Sequence, residues 1–325
     1  MLFYPEMRRP SYRFLDSKPT RHQWRKVKTF CRAGVAVPLF SIYSSRSAGI
    51  GEIPDLKILV DWCVRTGHKI IQLLPMNDTG FGFKPYDAES SFALDPMYLS
   101  AEKLRGAAVD GLREELRDLR HKFPTGGGRV DYGIKRAKLE LFWKIYARSR
   151  PGRDKRFSLF RKKNRFWLED FAVYRLLKER NGEKSWIDWP SGARRRLGGT
   201  LRAVRRKHRA RLLFFAWLQW QLYEQLKDMK AYARKKGVLL MGDLPFLVSR
   251  DSADVWANQR YFKLDLAAGA PPDDFHVRGQ RWGMPPYDWK TIRESGYAYL
   301  VQKLKYAENF YDLYRIDHAV GLFRI

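Results

Sequence analysis

The chain has 325 residues, with 63 Lys and Arg against 35 Asp and Glu, a formal charge of +28, and 45% hydrophobic and 15% aromatic side chains. That apolar content excludes a disordered chain, and the length allows one large domain or two ordinary ones. No apolar run approaches the ~20 residues of a membrane span, and the N-terminus MLFYPEMRRPSYRF has no apolar signal core. The two cysteines, Cys31 and Cys63, lack metal-type spacing, so a reduced, cytoplasmic protein is expected, with no metal.

To about residue 30 the sequence is a basic extension. VAVPLF (35–40) then reads as a buried strand. Pro54 suits a first helical turn, and Leu56, Leu59, Val60 and Cys63 recur at helical spacing up to Gly67, a plausible cap. KIIQLLPM (69–76) is a second strand, completing a βαβ unit with parallel pairing. Residues 79–210 predict a mainly helical insertion, with helices near 101–120, 131–148 and 165–181. Phe215, Leu218, Leu222, Leu226, Met229 and Ala233 then form an apolar stripe, ended by Gly237, before a third strand from Val238. Leu300, Leu304, Ala307 and Tyr311 predict another helical face, leading into LYRID, the fourth strand.

Near-continuous apolar strands are those covered on both faces in α/β folds, where functional residues sit at the carboxyl ends of strands. Those ends hold Ser41, Asn77, Asp78, Asp243, and Asp317 with His318. No G-x-G-x-x-G turn or P-loop follows any strand, which favours a (β/α)8 barrel over a doubly wound sheet. About four barrel strands are visible, in 31–78 and 211–325.

Arg315 and Asp317 lie two apart on a strand and so share a face. An arginine beside a carboxylate favours the ionised form, which suits a nucleophile, although the same spacing fits a structural ion pair at a strand end. Asp243, after Gly242, stands in a similar position, and an ordinary turn aspartate explains it equally well. The loop GAPPDDFHVRGQRWGMPPYDW (269–289) mixes Asp273, Gln280, Trp282 and Tyr287, the aromatic platforms and polar groups that suit sugar rings. Buried aromatics anchoring a surface loop would look the same. His276 lies in this loop without an obvious role, and no Ser–His–Asp arrangement is visible. The basic runs 148–165 and 194–211 fit solvated helix faces. A nucleic-acid or other polyanion partner is the less favoured alternative, since base-stacking signatures are lacking.

In order, AGIGEIPDLKILVDW, IIQLLPMNDTGFGFKPYDAESSFALDPMYLS, MGDLPFLVSRDSADVWANQRYFKLD, GAPPDDFHVRGQRWGMPPYDW and YRIDHAVGLFRI resemble the 4-α-glucanotransferases, or amylomaltases, over residues 48–325. The resemblance implies a (β/α)8 barrel and retaining transfer of α-1,4-glucan segments between maltooligosaccharides, without a cofactor. It puts Asp317 on the nucleophile position and Arg315 on the orienting arginine. Tyr86, Asp243, Asp273, Gln280 and Trp282 match substrate-holding positions, with His318 as substrate-side support. Lys84 stands where many members have serine, and Asp274 replaces a usual tyrosine. The SSFALDPMYL pattern is closer to the branch that includes plant cytosolic enzymes, whose N-terminal starch-binding modules find no match.

In this family the acid/base glutamate and a second aspartate follow the nucleophile strand. A retaining mechanism needs two carboxyl groups about 5–5.5 Å apart, and no acid up to Ile325 matches the second. The expectation is therefore half of a catalytic pair, inactive alone and prone to associate through an open strand edge. A glucan-binding half-barrel without turnover is the rival reading.

Overall fold

The computed structural model describes residues 18–28, 31–106, 113–149, 152 and 154–323. Most of the basic N-terminal segment, residues 1–17 and 29–30, lies outside these. A short helix, α1 (Arg21–Val27), forms within the remainder.

Four parallel strands make one sheet: β1 (Gly34–Val37), β2 (Ile70–Leu73), β3 (Leu239–Leu244) and β6 (Leu313–Ile316), in the order β1-β2-β3-β6. A two-residue antiparallel pair, β4 (Gly269–Ala270) with β5 (Gln280–Arg281), closes the base of a loop. The parallel register pairs Gly34 with Ile70, Ile70 with Leu239, and Asp243 with Arg315. The crossover helix α2 (Leu56–Thr66) buries Leu56, Val60 and Cys63, and Gly67 ends it in the left-handed region at φ 81°.

The insertion carries α3 (Arg113–Lys122), α4 (Gly133–Arg148), α5 (Lys155–Lys163), α6 (Arg165–Arg180), α7 (Ser191–Arg194) and α8 (Gly198–Lys207). The 27-residue α9 (Arg209–Lys235) returns the chain to the sheet and packs on α2 and β3. After β3 come α10 (Ala253–Ala257), α11 (Trp289–Glu294) and α12 (Ala298–Ala307). One continuous core runs from the sheet into the helical insertion, through Trp217, Trp220 and Phe214 of α9.

Several expectations need correction. The helix expected from 101 is a single 3-10 turn at Ala101–Lys103, with helix only from Arg113 among the described residues. The segment 94–105 is instead clamped to α9 by three glutamines. Gln219, Gln221 and Gln225 each accept from the backbone N–H and donate to the carbonyl of one residue, respectively Leu94, Arg105 and Ser100, at 2.8–3.0 Å. These bonds satisfy buried loop backbone that helix formation would otherwise satisfy.

On α12 the core face is Tyr299, Lys303, Tyr306 and Ala307, whereas Leu304 is 39% exposed. Of the expected face, Ala307 and Tyr311 are buried and Leu300 packs half-buried against the core, so Leu304 alone falls outside it. The strands are also not covered on both faces. Ile71, Leu73 and Leu240 are buried under the helices, while Ala36, Gln72, Met241 and Leu313, in register across the other face, are only half-buried or exposed. The edge strands β1 and β6 are the most open.

Candidate active site

The half-open face of the sheet carries the chemistry at its carboxyl end. Alternation along a strand puts Met241 and Asp243 of β3 on that face, with Leu313, Arg315 and Asp317 on the same side of β6. The Asp317 N–H donates to the Leu244 carbonyl at 3.1 Å, extending the pairing just past the strand. His318 then turns the chain at φ 51°.

Arg315 joins two carboxylates. Its Nη1 donates to Asp243 Oδ2 and its Nη2 to Asp317 Oδ1, both at 2.6 Å. From the loop after β2, the Tyr86 hydroxyl donates to the same Asp243 Oδ2 at 2.8 Å. Burial pushes Asp243 above the usual carboxylate range, against the opposing hydrogen bonds of Tyr86 and Arg315. Tyr86 is pushed up to about 12, by burial first and then by its bond to Asp243. Asp243 is 2% exposed, and its Oδ1 has no hydrogen-bond partner among the described residues.

Gly242 is required by packing: a Cβ there would sit 2.3 Å from the Tyr311 ring. An aromatic side chain beneath the strand thus makes the close approach that a glycine permits.

These groups edge a cleft of about 540 Å³ whose lining includes Tyr86, Asp87, Phe246, Trp282, Asp317 and His318. Trp282 meets the His318 ring edge-on at 4.7 Å. Its indole N–H donates to Gln280 Oε1 at 3.2 Å, and Gln280 Nε2 lies 3.1 Å from His276 Nδ1. Asp273 completes the row, accepting from the backbone N–H groups of Phe275 and His276 at 2.9 and 2.6 Å. Those bonds hold its carboxyl below the usual range.

The structure therefore gathers Tyr86, Asp243, Arg315, Asp317, Trp282 and His318 at one place. Asp273 and Gln280 stand behind Trp282, outside the cleft lining. His276, which sequence left without a role, links those two; its place in the same loop was the one available signal. Lys84, the departure from serine, lines the cleft, whereas Asp274 is exposed.

The other strand-end residues lie elsewhere. Ser41 bonds to the Pro38 carbonyl and Asn77 to that of Ala93. Asp78 enters a buried ion cluster in which Lys135 donates to Asp78 and Asp95, each at 2.8 Å, and to the Gly80 carbonyl. Glu89 lies in the same loop and pairs with Arg175 at 2.7 Å. A Cβ on Gly80, at φ 58°, would sit 2.2 Å from the Glu89 carboxylate. Lys135 and Arg175 thus fix the segment that delivers Tyr86.

Residues 37–325 match the family model described as 4-alpha-glucanotransferase. The chain is 35% identical over 318 residues to a 4-alpha-glucanotransferase of Chlamydia pneumoniae, covering 96% of this chain and 60% of that protein. A 4-alpha-glucanotransferase of Oryza sativa subsp. japonica is 36% identical over 90% of this chain and 32% of its own length. Among solved structures, amylomaltase from Streptococcus agalactiae in complex with acarbose superposes with a TM-score of 0.76 at 30% identity, over 90% of this chain and 60% of that one. Amylomaltase from Corynebacterium glutamicum, at 24% identity and TM-score 0.75, shares the fold. The parallel α/β architecture fits a TIM-barrel-like fold, and the chain spans about 60% of the length of the chlamydial relative. From the matched length and these likenesses, the chain belongs to the 4-alpha-glucanotransferase family.

Proposed function

We propose that this chain supplies the nucleophile and donor-side contacts of a retaining 4-α-glucanotransferase acting on α-1,4-glucans and maltooligosaccharides in the cytoplasm. The observation that carries the reading is Arg315, held between buried Asp243 and cleft-lining Asp317. A guanidinium bonded to one oxygen of Asp317 fixes the rotamer of its carboxyl group, the orientation a nucleophile needs.

In this reading the Asp317 carboxylate attacks the anomeric carbon. The bond to the leaving 4-oxygen breaks, and a covalent glycosyl ester forms. The 4-hydroxyl of an acceptor sugar then displaces Asp317, returning the original anomeric configuration. Trp282 gives the sugar an aromatic face, and Asp243 acts from beneath by holding Tyr86 and Arg315 in place at the cleft. His318 supports the Trp282 ring, while Asp273 and Gln280 act by fixing the Trp282 loop. The four strands form the first part of a (β/α)8 barrel whose interior face is the half-open one. The helices of 79–210 are its insertion.

Departure of the glycosidic oxygen also needs a proton donor. Asp243 lies beneath Tyr86 and Arg315, and the other carboxylate lining the cleft is Asp87, beside Tyr86. Neither carboxylate is placed as the acid/base here, and glucan binding without robust turnover is the expected behaviour.

Calorimetric titration with maltoheptaose tests this. Binding that weakens about tenfold in Trp282→Ala, or ~1.4 kcal/mol, with no maltotriose disproportionation by the 325-residue chain, is the expected result. Unchanged affinity in the variant would remove Trp282 from the site, and robust disproportionation would refute the half-site assignment.

A further inference from the structure

A second cavity, of about 670 Å³, opens among the insertion helices, and the chemistry of the cleft makes no use of it. Its floor is the seam where α6 packs along α9, and its walls come from α5 and α8. Leu168 and Ala172 of α6 face Leu212, Leu213 and Ala216 of α9 across that floor. The steps are of four on α6 and of three and four on α9; Leu212 and Leu213 are half-buried, while Leu168, Ala172 and Ala216 lie buried at the base. Two helices side by side, each presenting an aliphatic stripe between raised walls, leave a slot shaped for a third.

The rim of the slot is cationic. Arg161 and Lys162 stand on α5, Arg165 on the first turn of α6, Arg205 on α8 and Arg209 on the first turn of α9, with one carboxylate among them, Glu169, paired to Arg165 at 3.1 Å. Arg205 lies 3.5 Å from Asp170, but neither Lys162 nor Arg209 has a carboxylate within ion-pair distance among the described residues. A further groove of about 550 Å³ shares Lys162, Arg165 and Arg205 and continues past Phe166. The combined surface is therefore elongated.

Floor and rim together define the partner. Single-stranded nucleic acid binds on aromatic platforms that stack with bases, and this floor is aliphatic. A compact anion would satisfy the rim and leave the aliphatic stripe unfilled. We propose that this slot docks an amphipathic helix of a partner protein, with an aliphatic stripe on the α6–α9 floor and Asp or Glu on its shoulders. The proposal is independent of the reading of the cleft.

The test uses the full 325-residue chain and a fluorescein-labelled helical peptide of about 18 residues. The peptide carries leucines spaced three and four apart and glutamates on both shoulders. Fluorescence anisotropy should show binding that weakens at least about tenfold when the leucine order is scrambled at constant composition. The combination Lys162→Glu with Arg209→Glu should produce a loss of the same size. These two side chains are exposed, so circular dichroism should be unchanged. Leu213→Asp on the half-buried floor should act likewise. Raising salt from about 50 to 300 mM should weaken the parent peptide while preserving its preference over the scrambled one. Equal binding of the two peptides, or no binding up to about 100 μM, overturns the proposal. So does an oligonucleotide that binds more tightly than the peptide and is lost with the same charge reversals, which would make this face a polyanion surface.

Discussion

Arg315 shows how single residues define the cleft. It is exposed enough to face a ligand, yet it holds a buried carboxylate on one side and a cleft carboxylate on the other. Lys303, on α12, lies under the neighbouring turn and donates to the Pro245 carbonyl at 2.6 Å. Burial pushes Lys303 down to about 8 from an ordinary value of 10.5, against the opposing pull of Asp254. Between those two values the folded chain holds fewer protons here than the unfolded chain, so this lysine makes stability rise with pH across that window. Below about 8 it is charged in both states and the contribution is absent. Urea unfolding from about pH 8 to 9.5 should show wild type gaining about 2 kcal/mol relative to Lys303→Met, a comparison in which the tyrosines common to both proteins cancel. Parallel pH profiles for the two proteins would contradict this.

At the scale of elements, what was legible followed from how each interaction writes itself into sequence. The four strands were visible because each is a short apolar run bounded by turn residues, and α2 because its buried residues recur at helical spacing. The pair of Arg315 and Asp317 was visible because alternation alone puts them on one face. The glutamine clamp between α9 and residues 94–105 was not, since amide-to-backbone bonds leave no periodic trace. On α12 Leu304 alone of the expected face falls outside the core, because apolar spacing does not decide which of two neighbouring stripes packs. Asp78 looked like a strand-end functional residue, but its partner Lys135 comes from 57 positions away. That cluster has a measurable consequence. Lys135→Met would leave Asp78 and Asp95 buried without their shared cation, a loss of about 3–5 kcal/mol. A denaturant midpoint within error of wild type would show that these carboxylates do not depend on Lys135.

For the whole molecule, the covered face of the sheet is continuous with the helical insertion, and the opposite face is half-open. The outer edge of β6 is unpaired among the described residues, with Ile316 and Val320 exposed and Phe323 89% exposed. Such an edge is a template for association. Sedimentation velocity should show concentration-dependent oligomers that diminish in Ile316→Lys combined with Phe323→Glu, and a wild type that stays monomeric throughout would rule this out.

The central claim is that Asp317 forms the glycosyl–enzyme bond. It can be separated from protonation of the leaving group with a 5-fluoro-substituted α-maltosyl fluoride, because fluoride departs without it. Intact-mass and peptide mass spectrometry of the chain after incubation with this donor is the most direct measurement. The account predicts one maltosyl adduct, located at Asp317 and absent from Asp317→Asn. No adduct, or one attached at another residue, would contradict it.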